Sequence, residues 1–218
     1  MWLKCVLKTG GFLGGDSVRK QLACSGEDFP PEFFHHDERG NPLPGFPPVR
    51  MFGNGYQVSL LGVGEQGRDL LLANLDKVIR AFHGTTAQVA SGQFRIRPGR
   101  ESLWDVRSCV LKVPRQHTQA LIDGDFRAVD DIVTSVFGRA LRRQVRQLCP
   151  HMTETVARSV IRAAPYRSVA VKKAGNCYLP ALDLLVRMPF RLEGPWQFGS
   201  LQAKGYGRCR PARRPQNV

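Results

Sequence analysis

Two stretches of this 218-residue chain combine residue types suited to meeting an anion and moving a proton. Near the C-terminus, the run from Gly199 to Arg208 gathers Gly199, Gly205 and Gly207 with Lys204, Tyr206 and Arg208. Glycine has no Cβ to hold the chain off, so its backbone N–H can approach an anion closely. Lys204 and Arg208 add positive charge, and Tyr206 offers a face for a base to stack on. Such a loop suits a phosphate backbone, and a plain turn is the ordinary alternative. The second stretch is a long loop-like segment over residues 25–50, which carries the pair His35-His36 together with Arg39. A histidine titrates near neutral pH and can take up or release a proton there. Its ordinary alternative is one packed and one solvated histidine.

The charge balance favours the first reading of both stretches. Lys and Arg number 32 against 18 Asp and Glu, a formal net charge of +14. That excess points to a polyanionic partner, most simply nucleic acid. No run approaches 18 consecutive apolar residues, so no membrane-spanning helix is expected. The start, Met-Trp-Leu-Lys-Cys-Val-Leu-Lys, lacks the layout of a signal peptide. The six cysteines, at 5, 24, 109, 149, 177 and 209, form no C-x-x-C pair. They read as reduced thiols of a cytoplasmic protein, with neither a metal nor another cofactor expected.

Periodicity supplies the elements that would position these residues. Residues 2–8 alternate as a strand, and a glycine-rich turn leads to a short helix through about Cys24 that carries Arg19 and Lys20. Prolines at 30, 31, 42, 44, 47 and 48 keep the following loop irregular. Residues 56–62 alternate as a strand, 68–82 show helical spacing, and 87–89, 93–96 and 107–113 read as short strands. The order strand, helix, strand, strand begins a ferredoxin-like β-α-β-β-α-β unit. Residues 126–148 carry the strongest apolar stripe, from Phe126 to Leu148. Its second half bears Arg139, Arg142, Arg143 and Arg146, and a further helix from Thr153 would carry Arg158 and Arg162 at i, i+4. A helical hairpin with one apolar and one basic face suits a nucleic-acid backbone, or else presents a solvated arginine face. From Tyr166 the period returns to two.

Four stretches, in their order, resemble the RAMP superfamily of CRISPR systems and, more narrowly, its repeat-cleaving endoribonucleases. They are Leu3–Thr9; His36–Arg50 with Val58–Gly64; the helix leading into Gly84 and the strand Gly92–Ile96; and Leu201–Arg208. The resemblance covers most of the chain except residues 115–165, and the arginine-rich helices there look like the insertion of the type IV version. It implies an α+β fold of two ferredoxin-like (RRM/RAMP) domains in tandem, with the arginine-rich helical insertion in the second. The boundaries expected are an abbreviated first domain over 1–50 and a second over 51–210. The second would include a projecting helical finger at about 117–165 and the glycine-rich loop at 199–208, and a basic tail would follow at 211–218.

The resemblance also implies a reaction. Members bind a hairpin in the repeat RNA and cut once at its base without metal. A ribose 2′-OH attacks the adjacent phosphate and leaves a 2′,3′-cyclic phosphate and a 5′-OH. His36, with His35 as substitute, occupies the region where the family places a general base, and Arg19, Lys20 and Arg39 lie near enough in sequence to brace the phosphate. A rival site built only of Arg19, Arg39 and Arg208 would stabilise charge without exchanging protons. The implied partners are the CRISPR repeat hairpin, which the product would keep, and other effector-complex subunits, with no membrane. Two other readings share the charge: a non-catalytic RAMP subunit that binds CRISPR RNA, and a basic structural RNA- or DNA-binding protein.

Overall fold

The computed structural model describes residues 1–13, 15–53, 55–83, 87–174 and 177–212; at 10–12, 15, 16, 100, 169–174, 177 and 178 only the backbone is described. The chain forms two compact units, residues 1–93 with 202–205 and residues 94–201 with 206–218. The boundary expected at residue 50 would cut β2, and the basic tail expected at 211–218 lies outside the described residues from 213 onward.

The first unit runs β1 (Trp2–Leu13), α1 (Gly15–Ala23), β2 (Val49–Gly53), β3 (Gly55–Val63), α2 (Gly64–Ala73), α3 (Leu75–Ala81) and β4 (Ala87–Gly92). Its strands pair antiparallel in the order β2-β3-β1-β4, the ferredoxin-like arrangement. This unit is therefore complete, not abbreviated. Alternation on β1 sends Leu3, Cys5 and Leu7 inward, where they pack with Val58, Leu60 and Met51 under Val18 and Leu22 of α1. The helical run expected over 68–82 breaks at Asn74, whose side-chain amide caps the Leu70 carbonyl at 2.9 Å. Helix α2 lies very close to the strands: a Cβ at Gly67 would fall 2.2 Å from the Pro48 carbonyl oxygen. Only glycine allows that approach.

The second unit runs β5 (Arg95–Val110), α4 (Thr118–Asp123), α5 (Asp130–Leu148), α6 (Thr153–Ala157), β6 (Arg162–Ala174), β7 (Cys177–Glu193) and β8 (Arg208–Pro211). Its sheet order, β6-β7-β5-β8, repeats the ferredoxin-like pattern. All three helices sit in the first crossover, and the second crossover is the loop between β7 and β8. Helix α5 does not stand off as a finger. Val133, Phe137, Leu141 and Val145 are buried beneath it, Phe137 meets Phe198 edge to face at 5.2 Å, and Thr134 bonds both backbone groups of Ala163 on β6. Helix α6 ends at Ala157, so Arg158 follows its last turn and Arg162 opens β6, not one helical face as the i, i+4 spacing suggested. No helix among the described residues is long and apolar enough to cross a membrane.

Candidate functional site

In the first unit, α1 and the proline-rich loop bring two of the expected residues together. Helix α1 is fixed by its buried Val18 and Leu22, which leaves Arg19 between them half-exposed. The loop is fixed by an aromatic knot: Phe29 and Phe33 lie 4.8 Å apart, and Phe34 meets both edge-on. A bidentate pair from Arg80 to Glu27, 2.9 and 2.8 Å, ties the loop's start to α3. The loop therefore carries more order than its prolines imply.

Arg19 closes the arrangement. Its Nη2 donates to the Phe34 carbonyl at 2.6 Å, its guanidinium lies 5.5 Å from the Phe34 ring centre, and the same Nη2 stands 3.3 and 3.4 Å from the two ring nitrogens of His36. His35 takes a left-handed backbone, φ 61°, at the end of the 3-10 turn Pro31–Phe34, which turns the chain so that His36 reaches Arg19. Its Nδ1 is buried without a hydrogen-bond partner. Desolvation first, then the charge of Arg19, lowers the pKa of both histidines; Asp37 opposes this at His36. Both rings are thereby held neutral further into acid than a free histidine. Burial also lowers the Arg19 pKa, but a guanidinium starts so high that it stays charged.

Asp37 organises the rest of the loop. Its carboxylate accepts from the backbone N–H of Arg39 at 3.0 Å and of Asn41 at 2.7 Å, an Asx turn that presents Arg39 at the exposed tip. Lys20 is exposed beside Arg19 on α1.

The expected residues of the glycine-rich loop divide between the units. Residues 202–205, with Lys204 half-buried, belong to the first, and Gly205 lies against Met51 and Phe52. Tyr206, Gly207 and Arg208 belong to the second, as does Gly199, whose Cβ would fall 2.6 Å from the Val110 carbonyl oxygen. The phosphate-cradle expectation meets a direct obstacle. The Gly205 N–H already donates to Gln202 O at 3.0 Å, and the Gly207 N–H to Arg107 O at 3.0 Å. A Cβ at Gly207 would stand 1.8 Å from the Phe198 carbonyl oxygen, so this glycine serves close packing. Tyr206 packs partly against Val110, Leu179 and Ala181 and is not an open stacking face. Arg208 is exposed on β8, opposite Arg107.

On α5, Arg139, Arg142, Arg143 and Arg146 point outward and are exposed. Arg139 bonds Ser135 at 2.9 Å one turn back, and Arg158 stands 3.7 Å from Glu154, both highly exposed. These contacts leave a basic, solvated face.

Sequence reasoning missed a polar network on the second sheet. Asp183 is fully buried and receives Arg107, Arg167 and the Ser108 N–H at 3.0, 2.8 and 2.8 Å. Asp105 receives Arg107, Arg210 and the Tyr166 hydroxyl at 2.6, 3.1 and 2.9 Å. The available signal was an acid set among apolar neighbours on each strand, Asp105 between Trp104 and Val106 and Asp183 between Leu182 and Leu184, since buried carboxylates require partners.

The model of the family described as "Type IV CRISPR-associated endonuclease Csf5" matches residues 2–213. The chain belongs to that family. Among solved structures it is similar to "Csf5, CRISPR-Cas type IV Cas6 crRNA endonuclease", at 19% identity and a TM-score of 0.62 over 97% of this chain and 98% of that one. A crystal structure of Cas6b follows it at 12% identity and a TM-score of 0.67, over 97% of this chain and all of the other. A CRISPR RNA processing endoribonuclease Cas6b gives 11% and 0.54, over 97% and 100%. At these identities the solved structures bear on the fold, and the family rests on the whole-length model match. No curated protein matches the chain.

Proposed function

We propose that this Csf5-family protein is a CRISPR RNA maturation endoribonuclease that cuts the repeat RNA at the base of a hairpin without metal. The observation that carries the proposal is the pairing of Arg19 with His36, within 3.4 Å of both ring nitrogens, in a chain that belongs to an endonuclease family. A neutral imidazole accepts a proton, and a permanent cation beside it meets developing negative charge, the two needs of transesterification at phosphorus. His36 takes the proton of the 2′-OH. The 2′ oxygen forms its bond to phosphorus as the P–O5′ bond breaks, and the departing O5′ takes up a proton. The products are a 2′,3′-cyclic phosphate and a 5′-OH end. Arg19 stabilises the phosphorane oxygens, with Arg39 as a further cation and His35 holding the turn that presents His36.

The exposed arginines of α5, with Lys20, Arg158, Arg162 and Lys204, supply contacts to the hairpin backbone. The product stays bound and is passed to an effector complex. Retention of that kind fits a net charge of +14.

Purified protein incubated with repeat RNA in EDTA tests the proposal, with both product ends mapped. One cut at the hairpin base with a cyclic phosphate and a 5′-OH is expected. Binding without cleavage would instead make the chain a non-catalytic CRISPR RNA-binding subunit. Full activity in His36→Ala would transfer the chemistry to an arginine-only site, in which Arg19 still takes part.

A further inference from the structure

The geometry points to a second RNA site, on the exposed face of the second sheet, where one unpaired nucleotide stacks on Tyr166 and sets its phosphate against Arg210 and Arg167. The inference rests on the proposed RNA-binding function and extends it from the hairpin to single-stranded RNA that continues from it.

The site is a cavity of about 630 Å³ lined by Asp105, Arg107, Tyr166, Leu185, Arg210 and Pro211, a size that small-molecule clefts commonly have. Its parts match those of a nucleotide. Tyr166 is 44% exposed and Leu185 39%, which gives an aromatic face with an apolar neighbour open to solvent. The tyrosine hydroxyl is held by Asp105 at 2.9 Å, and the Arg107 guanidinium lies 5.6 Å from its ring centre. The ring is therefore fixed before anything binds, which lowers the ordering cost of a stack.

The cations are fixed in the same way. Asp105 anchors Arg210, and Asp183 anchors Arg167 through both Nε and Nη2. Yet the two arginine side chains remain 62% and 59% exposed, so their outer N–H groups still face solvent. Three guanidiniums against two carboxylates leave the cluster with an excess of one positive charge.

The surroundings indicate a polymer and not a free nucleotide. Strand pairing aligns Arg162 with Arg187, and Arg97 with Arg191, on the face that also carries Leu185, and all four are exposed. Arg97 and Arg187 pair at 2.6 and 3.3 Å with Glu193 and Glu101, which are themselves partly solvated. A row of arginines leading away from one stacking platform tracks a phosphate backbone. Unpaired bases are the ones free to stack on a side chain, whereas a duplex keeps its bases within its own stack.

The test compares Kd for three RNAs: the bare repeat hairpin, and the hairpin extended by oligouridine on its 5′ side or on its 3′ side. Wild-type protein should bind one extended RNA more tightly than the bare hairpin. In Tyr166→Leu that advantage should fall about tenfold, the size of one base–aromatic stack. Tyr166→Phe, which keeps the ring, should retain most of it. A 4-thiouridine in the favoured extension should crosslink to the peptide containing Tyr166. An unchanged extended-to-bare ratio in Tyr166→Leu, with no crosslink, would make the network a structural brace and overturn the site. If wild-type protein binds none of the RNAs, the proposed function itself fails, which is a separate result.

Discussion

The two units share a strand order and differ in where they place their helices and their charge. The first divides its helices between both crossovers and leaves a long loop between α1 and β2, so a histidine can meet an arginine directly. The second concentrates helices in its first crossover and closes its second with a glycine-bearing loop. Three arginines of its sheet, Arg107, Arg167 and Arg210, are pinned by two acids that the sheet buries. A cation beside a neutral base suits chemistry, whereas a cation held by a carboxylate suits binding, because its geometry is set and its charge partly compensated.

The sharpest way to break this contrast lies in the first unit. His36→Ala should lower the cleavage rate about 10²–10⁴-fold, the usual contribution of a general base, with hairpin Kd the control readout. The rate should also hold into acid, with its fall lying below the ordinary histidine value near 6.5, because burial and Arg19 lower the His36 pKa. Arg19→Leu should shift that fall toward higher pH in a single-turnover pH series. An acid limb unmoved by Arg19→Leu would separate the two residues.

In the second unit the largest effect should come from Gly207→Ala. The added Cβ would meet the Phe198 carbonyl at a residue whose φ is +74°, and a loss of roughly 3 kcal/mol is expected from urea unfolding. Asp183→Asn should cost about 2 kcal/mol, less than for a fully dry pair because Arg107 and Arg167 are partly solvated. Smallest of all, Arg142→Ala on the solvated face of α5 should weaken RNA binding modestly and reduce the salt slope by about 1. A large, salt-independent loss there would mean that α5 reads bases and not backbone.

The sequence shows some of this and hides the rest for identifiable reasons. The stripe from Phe126 to Leu148 marks α5 because a long apolar period survives any tertiary context, and the alternation of Leu3, Cys5 and Leu7 marks β1 equally well. Strand β2 is harder to see: it is short, and Arg50 sits inside it, wholly buried, its guanidinium pushed down to about 9 by that burial. Without β2 the first unit reads as truncated and its boundary falls too early. Arg19 and His36 stand out as types but not as a pair, since their contact depends on the left-handed turn at His35 and on the phenylalanine knot. Asp105 and Asp183 are far apart in the chain and meet only through sheet register. The glycines of the C-terminal loop are conspicuous, but their type does not say whether the N–H groups face a ligand or a carbonyl.

The short segment from Gln202 to Gly205, which belongs to the first unit, has a consequence for synthesis. A ribosome releases residues 1–93 long before that segment. Until it arrives, the backbone of Met51 and Phe52 lacks the neighbour that Gly205 provides. The unit made first is thus completed only late in synthesis, and a nascent or truncated chain that stops short of residue 202 is expected to expose this surface to chaperones and proteases.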